Sequence, residues 1–512
     1  MMNGFDTWAL SLGVFLPMVG ALLITVIPRA QEQAVKAIAL VASGAALVVS
    51  IIVLARFNFG SGTRVFQFVV NKSWIETIGA RYHMGVDGIG LPMFALTTLL
   101  TFLCVVYSLK TMPNPHRPKG FFALILILET GMAGTFVSLD LVLFFIFWEL
   151  VLVPMYFLIA IWGSERKEYS AIKFFLYTLF GSIFMLLAFL AMYFRSHDPV
   201  TGLHTFDMIA LQGQHFGSAA FMNLVFAGLF LGFAIKVPMW PFHTWLPDAH
   251  GDAPTVGSVL LAGILLKMGT YGFIRIALPL LPSAAHTWAP YIGGLAVIAI
   301  LYGALCCLAQ TDIKRLIAFS SVGHMGFVML GISTLTQTGI NAAIFGMVAH
   351  GVITGMLFFL AGSIYERFHT RQIDSIGPGL MQVLPYMGGI FAFAAIASLG
   401  LPGLAGFWGE VLSLLAAFNP AAGLSTGLFR TYMVLGGVGT ILTAGYMLWL
   451  IQRLNLGKAS EARFAEHLDD VRPVELAAWA PLLAGIAALG FYPGAVLKMT
   501  DAAVGGLTRL FS

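Results

Sequence analysis

The chain has 512 residues, of which 59% are hydrophobic and only 10% charged, against roughly a quarter charged in ordinary soluble domains. A mean hydropathy of +0.90 over that length excludes a soluble globular protein and implies an integral membrane protein. The net charge of +4, from 27 Lys and Arg against 23 Asp and Glu spread along the loops, gives no argument for nucleic acid or an acidic substrate.

A bilayer crossing needs about 20 apolar residues, and on that rule the chain reads as an all-α polytopic membrane protein of about fourteen spans. They fall near 7–27, 34–55, 86–109, 120–138, 140–163, 169–194, 220–246, 254–279, 288–308, 312–333, 338–365, 383–418, 429–452 and 475–495. The first run has no basic residue before Arg29, which predicts a retained first span and not a cleaved signal peptide. Loops after odd-numbered spans carry 16 Lys and Arg, from Arg29 to Arg463 and Arg472, and the opposite side 9, among them Arg64 and Arg275. By the positive-inside rule the odd loops face the cytoplasm, so both termini of this even-numbered set are periplasmic.

Two spans are interrupted. In the seventh, Lys236-Val-Pro-Met-Trp-Pro-Phe-His-Thr-Trp-Leu-Pro247 places Pro238 and Pro241 where a helix cannot run on, because proline lacks a backbone donor and clashes with the preceding turn. In the twelfth, Pro402 with Gly400, Gly403 and Gly406 breaks an apolar run just before Glu410. The breaks lie five spans apart, an odd number, so spans 4–8 and 9–13 read as two inverted five-helix repeats, each with one broken helix. The resulting domains are 1–119 with three spans, 120–279 as the first repeat, 288–453 as the inverted second repeat, and 454–512 as the last span and a tail.

Ionisable residues inside the spans carry the chemical signal. They are Glu129, Glu149, Lys236, Lys267, His324, His350 and Glu410. A charge at the bilayer centre costs at least ~2.5–3.5 kcal/mol, so this set needs a partner network or a water-filled path. Singly, each histidine could be a structural hydrogen bond between helices, and Lys236 could be a lysine reaching from a helix end to the headgroups. Together they are groups whose proton affinities proteins move, which suits proton transfer along a hydrated chain. After the first break, His243, Asp248, His250 and Asp252 form a polar loop that lacks a third well-spaced metal ligand. It reads as a proton or water entry, with His243 the entry candidate. Lys173 reads as an interfacial lysine, and Asp87 and Asp140 as residues serving helix N-termini. Cys104, Cys306 and Cys307 lie in apolar segments with no metal or disulfide spacing, and no GxGxxG or phosphate loop occurs. Redox or nucleotide chemistry therefore belongs on another polypeptide.

Five stretches, MGVDGIGLPM at 84–93, FFIFWELVLVPMYFLIAIWG at 144–163, KVPMWPFHTWLPDAHGDAPT at 236–255, DIKRLIAFSSVGHMG at 312–326 and LPGLAGFWGE at 401–410, make the chain resemble the antiporter-like membrane subunits of respiratory complex I, NADH:quinone oxidoreductase. The proline-rich stretch is shared with multisubunit cation/proton antiporters. Glutamate at 410, where sibling subunits usually carry lysine, and an end soon after span 14 point within the family to the M-type subunit, the counterpart of mitochondrial subunit 4. The resemblance implies proton translocation driven by electron transfer from NADH to quinone elsewhere in the complex. It implies no cofactor in this chain, with NADH, FMN, iron–sulfur clusters and quinone on partner subunits, neighbouring antiporter-like subunits L and N, and a bacterial inner membrane. Glu149 and Lys236 would form the entry ion pair, Lys267 would pass charge to the central axis, His324 and His350 would continue it, and Glu410 would be the terminal site. Glu129 would be a second span-4 carboxylate in the relay. The alternatives are a subunit of a multisubunit Na⁺/H⁺ antiporter or of a membrane-bound hydrogenase.

Overall fold

The computed structural model describes residues 4–59, 66–198, 202–459 and 468–511; Arg64 and Arg463, counted in the charge balance, lie outside them. Thirteen helices among the described residues are long and apolar enough to cross a membrane. They are α1 (Gly4–Val26), α2 (Glu32–Arg56), α3 (Gly90–Ser108), α4 (Pro118–Val137), α5 (Leu141–Trp162), α6 (Lys167–Tyr193) and α7 (Ala219–Lys236). A short α8 (Leu246–Asp252) follows. Then come α9 (Thr255–Leu280), α10 (Pro282–Leu308), α11 (Ile313–Ser333) and α12 (Gln337–Phe368), with α15 (Thr426–Leu454) and α16 (Pro473–Phe491) near the end. Between α12 and α15, α13 (Pro385–Ser398) and α14 (Ala405–Phe418) are the two halves of the expected twelfth span.

The first break satisfies the backbone that proline releases, as apolar surroundings demand. Pro238 has no N–H to offer the Ala234 carbonyl, and the Met239 N–H takes that acceptor instead at 2.8 Å. The Ile235 carbonyl, left over by this shift, accepts from the Trp245 indole at 2.9 Å. One aromatic residue ten positions on thus caps α7. In the second break Gly400 and Gly403 sit at φ +83° and +92°, a left-handed backbone that glycine enters without strain. The indole of Trp408 donates across to the Gly490 carbonyl of α16 at 2.7 Å.

Two elements lie outside the expected spans. A β-hairpin joins β1 (Gln67–Ile75) to β2 (Ala80–Val86) in antiparallel register, turning at Gly79, φ +64°. Each strand is too short and too mixed in polarity to register as a span. An amphipathic helix, α17 (Gly494–Thr508), occupies what was read as a tail. The hairpin is tied down by buried acids. His83 Nδ1 lies 2.6 Å from Asp207, and Asp140 caps α5 by accepting from Val142 and Leu143 N–H groups while also accepting the Arg81 N–H. Burial pushes the Asp140 carboxyl up to about 6 against those three backbone bonds. Burial is also the largest single influence on Asp207, but the bond and charge of His83 together with the Ile209 and Ala210 N–H groups outweigh it and hold that carboxyl below the usual range.

At the centre, α9 buries its entire apolar window. It meets α12 backbone to backbone, because a side chain on Gly351 would place a Cβ 3.0 Å from the Gly263 carbonyl oxygen. Small residues permit such close approach in a membrane, and here they bring the nearby Lys267 and His350 into reach of each other.

Candidate functional site

Lys267 sits between two π-helical turns of α9, Leu261–Leu265 and Phe273–Ala277. In the first, the Leu266 N–H reaches back five residues to the Leu261 carbonyl, so it no longer takes the Ala262 carbonyl as an α-helix would. The Lys267 ammonium donates to that Ala262 oxygen. Its second contact is His350 Nδ1 at 2.6 Å. A buried ammonium thus gains an acceptor that its own helix has released.

From His350 the set continues onto α11 and α14. The rings of His350 and His324 are 5.6 Å apart between centroids. His324 Nδ1 lies 2.8 Å from Glu410 Oε1 and its Nε2 lies 3.1 Å from Ser398 Oγ. A cavity of about 30 Å³ is lined by His324, His350, Ser398, Thr354 and Glu410. Two lining atoms, His350 Nε2 and Glu410 Oε2, have no hydrogen-bond partner among the described residues. The structure therefore brings Lys267, His350, His324 and Glu410 together from α9, α12, α11 and α14.

Lys236, Glu149 and Glu129 are arranged differently. Lys236, the last residue of α7, is 1% exposed, and its ammonium stands 5.2 Å from the Trp148 ring centre and 6.0 Å from that of Phe174. It has no hydrogen-bond partner among the described residues, nor does Glu149 Oε1. The expected Glu149–Lys236 ion pair is thus not closed. The break after Lys236 leaves the ammonium facing aromatic rings, which hold a cation by their quadrupole. Neighbouring Trp148 is fixed by its indole donating to Ser182 at 2.9 Å. Glu129 is fully buried in α4 with neither oxygen partnered among the described residues, and it is not drawn into contact with the others. His243 is buried against Tyr302, ring centres 5.0 Å apart, with Nδ1 unpartnered.

The polar loop after the first break is the hub between the two halves. Asp248 on α8 pairs with Lys173 of α6 at 2.7 Å and with Arg315 of α11 at 3.3 Å. This corrects the interfacial reading of Lys173, whose amine turns inward to a carboxylate. Asp252 accepts from Ser164 and Ser170 at 2.7 and 2.6 Å. The Ala253 carbonyl accepts from Lys314 at 2.8 Å, and the Gly251 carbonyl from Arg371. A cavity of about 410 Å³ opens beside these groups, lined by Lys110, Asp252, Lys314 and Glu366 among others.

For two residues the structure shows a setting that the sequence does not give. His250, on the same short helix, is fully buried with both ring nitrogens unpartnered among the described residues and stacks on Phe358, 4.7 Å between ring centres and 7° between planes. Its only sequence signal is its place seven residues after His243. Arg275 counts in the sequence as a loop charge. It is instead buried in the second π turn of α9 and binds Asp87 through its two terminal guanidinium nitrogens, one at 2.8 Å.

The family model described as NADH:quinone oxidoreductase/Mrp antiporter, TM, matches residues 138–436. The chain is 39% identical over 510 residues to the NADH-quinone oxidoreductase subunit M of Rickettsia prowazekii (strain Madrid E), covering 98% of this chain and 99% of that one. It is 41% identical over 510 residues to the protein of the same name from Rhodobacter capsulatus, covering 98% and 96%. Its fold is similar to a chain of respiratory complex I from Thermus thermophilus with bound NADH, TM-score 0.86 at 27% identity, covering 98% of this chain and all of that chain.

Proposed function

We infer from one premise, that this chain belongs to the NADH:quinone oxidoreductase/Mrp antiporter membrane family, that it is the M-type proton-translocating subunit of a bacterial NADH:quinone oxidoreductase. The observation that carries the reading is the contact series Lys267, His350, His324, Glu410 around a cavity that both histidines and the carboxylate line. Amine, imidazole and carboxylate in sequence form a proton path, and none of them is placed to cut or join a covalent substrate.

The chain itself holds no electron carrier in this reading. NADH, FMN, iron–sulfur clusters and quinone lie on partner subunits, and quinone reduction there drives the switch. The neighbours are the antiporter-like subunits L and N, the site is the bacterial inner membrane, and both termini are periplasmic. Spans 4–8 and 9–13 act as inverted repeats, the first housing Glu129, Glu149 and Lys236 and the second His324, His350 and Glu410. Entry runs past His243 and the loop after the first break. Glu149 toggles between Lys236 and a neighbouring subunit; with the carboxylate away, the Lys236 ammonium loses its countercharge and gives up a proton toward Lys267.

The test is proton uptake into proteoliposomes holding the assembled complex, measured against NADH oxidised. Lys267→Ala and Glu149→Ala should each lower the protons moved per electron. An unchanged ratio in both removes these residues from the path. Cation-driven proton flux by the purified chain without partners would favour the antiporter alternative.

A further inference from the structure

His324 is the member of the series least able to carry a proton onward. Both of its ring nitrogens are engaged, Nδ1 with Glu410 Oε1 at 2.8 Å and Nε2 with Ser398 Oγ at 3.1 Å. Its ring stands 5.6 Å from that of His350, inclined at 63°, and no hydrogen bond joins the two. The two unpartnered polar atoms are elsewhere on the same cavity. They are His350 Nε2 and Glu410 Oε2, on two of the residues that line it. At roughly 10–15 Å³ for each water, the cavity of about 30 Å³ holds about two, and the rest of its wall is largely glycine and apolar side chain. Water is stable in a buried cavity when polar partners await it, and here two of the lining residues each carry an unpartnered polar atom.

We propose that the proton crosses from His350 Nε2 to Glu410 Oε2 through water in this cavity, and that His324 is a positioning residue that holds Glu410 and carries no proton. The inference rests on the proton-transfer reading above. In the step, the Lys267 ammonium gives a proton to His350 Nδ1, and the imidazolium releases its other proton from Nε2 to the adjoining water. The water chain delivers one proton to the Glu410 carboxylate. Lys267 ends neutral, His350 ends neutral as the Nδ1–H tautomer, and Glu410 ends as the acid, so the single positive charge that leaves Lys267 cancels the negative charge of Glu410. Beyond Glu410 the route opens at the second break. A side chain on Gly400 would place its Cβ 3.3 Å from this same Oε2, and glycine leaves that flank of the oxygen clear.

The experiment uses the assembled complex in proteoliposomes and takes the share of pumping lost in Lys267→Ala as its unit. His324→Ala should lose as large a share, because Glu410 is unanchored. His324→Asn, whose amide nitrogen stands where Nδ1 does but cannot relay a proton, should restore most of it. Ala349→Val, which fills the cavity while leaving His324, His350 and Glu410 in place, should lose the full share. A His324→Asn complex that assembles but pumps no better than His324→Ala overturns the proposal, and so does an Ala349→Val complex that pumps normally. Where His324→Asn fails to assemble, Ala349→Val decides alone. If Lys267→Ala itself pumps normally, the underlying proton-transfer reading fails, and the proposal with it.

Discussion

The Asp87–Arg275 pair yields the sharpest energetic prediction. Both side chains are 1% exposed. Asp87 also accepts the N–H groups of Ile89 and Gly90 at 3.0 and 3.1 Å, which starts α3. Arg275 donates its Nε to the Tyr271 hydroxyl at 3.0 Å, and that hydroxyl donates to the Phe136 carbonyl at 2.8 Å. Removing one member of a buried ion pair costs about 3–5 kcal/mol, because the other charge stays behind unpaired. Asp87→Ala adds the loss of a cap, about 1 kcal/mol more. Arg275→Met falls at the lower end of the range, since the carboxylate keeps two backbone donors. In the double variant no buried charge remains, and only the cap and packing losses of about 1–2 kcal/mol persist. The double variant should therefore be better tolerated than either single one. The assay is the amount of assembled complex in membranes and the temperature at which coupled activity is lost, compared across the four proteins. A multisubunit complex does not unfold in two states, so the order of the four is the readout and not an absolute free energy. A double variant that suffers the sum of the two single losses refutes the reasoning.

Three further outcomes are expected. Trp148→Leu removes the ring 5.2 Å from the Lys236 ammonium, a contact of ~0.5–2 kcal/mol, and should slow coupled turnover by about 2- to 30-fold with assembly intact, more than Trp148→Phe does; equal turnover in the two would dismiss the ring. The Asp140 carboxyl, raised by burial to about 6, takes up a proton in the folded state that the unfolded chain does not bind until about pH 4. Its contribution to stability therefore grows as pH falls across that window and is a penalty above it. Infrared difference spectra should show a protonated-carboxyl band growing as pH is lowered through about 6 and missing in Asp140→Asn, and a band that grows only near the ordinary aspartate range would contradict this. Asp248→Asn breaks two partly exposed ion pairs worth about 0.2–1 kcal/mol each, so overall stability should barely change. Hydrogen exchange in residues 246–252 should nevertheless speed up, and unchanged exchange there would mean that Asp248 does not fasten α8.

What could be read in the residues, and what could not, divides along the range of the physics. Pro238, Pro241 and Pro402 forbid a helix locally, so both interruptions are legible one residue at a time. The acids and bases at membrane depth are equally legible, because their burial cost needs no structure to state. The contact of Lys267 with His350 was not, since it depends on the π turn at Leu261–Leu265, and a single extra residue per turn leaves no trace in hydrophobicity. Arg275 shows the same limit from another direction. At the edge of an apolar run it is indistinguishable from a loop charge until Asp87, 188 positions earlier, is found facing it. The hairpin and α17 were missed because a search for runs long enough to cross a bilayer passes over short strands and a half-polar helix.

The two halves of the site differ in a way that bears on coupling. From Lys267 to Glu410 each group touches the next or shares one cavity with it. Lys236, Glu129 and one oxygen of Glu149, by contrast, lack hydrogen-bond partners among the described residues. A path joined at every step would let protons run back down their gradient, so a pump must keep at least one step open until energy is supplied. The place to keep it open is where charge is held without hydrogen bonds, because a group held by aromatic faces is released by a small electrostatic change and a group in a closed ion pair is not. Lys236 over Trp148 meets that requirement. A variant that gave Lys236 a permanent carboxylate partner, such as Ser182→Asp beside Trp148, should therefore lower the protons pumped per electron while the complex assembles and oxidises NADH. Normal pumping in Ser182→Asp would place the controlled step elsewhere.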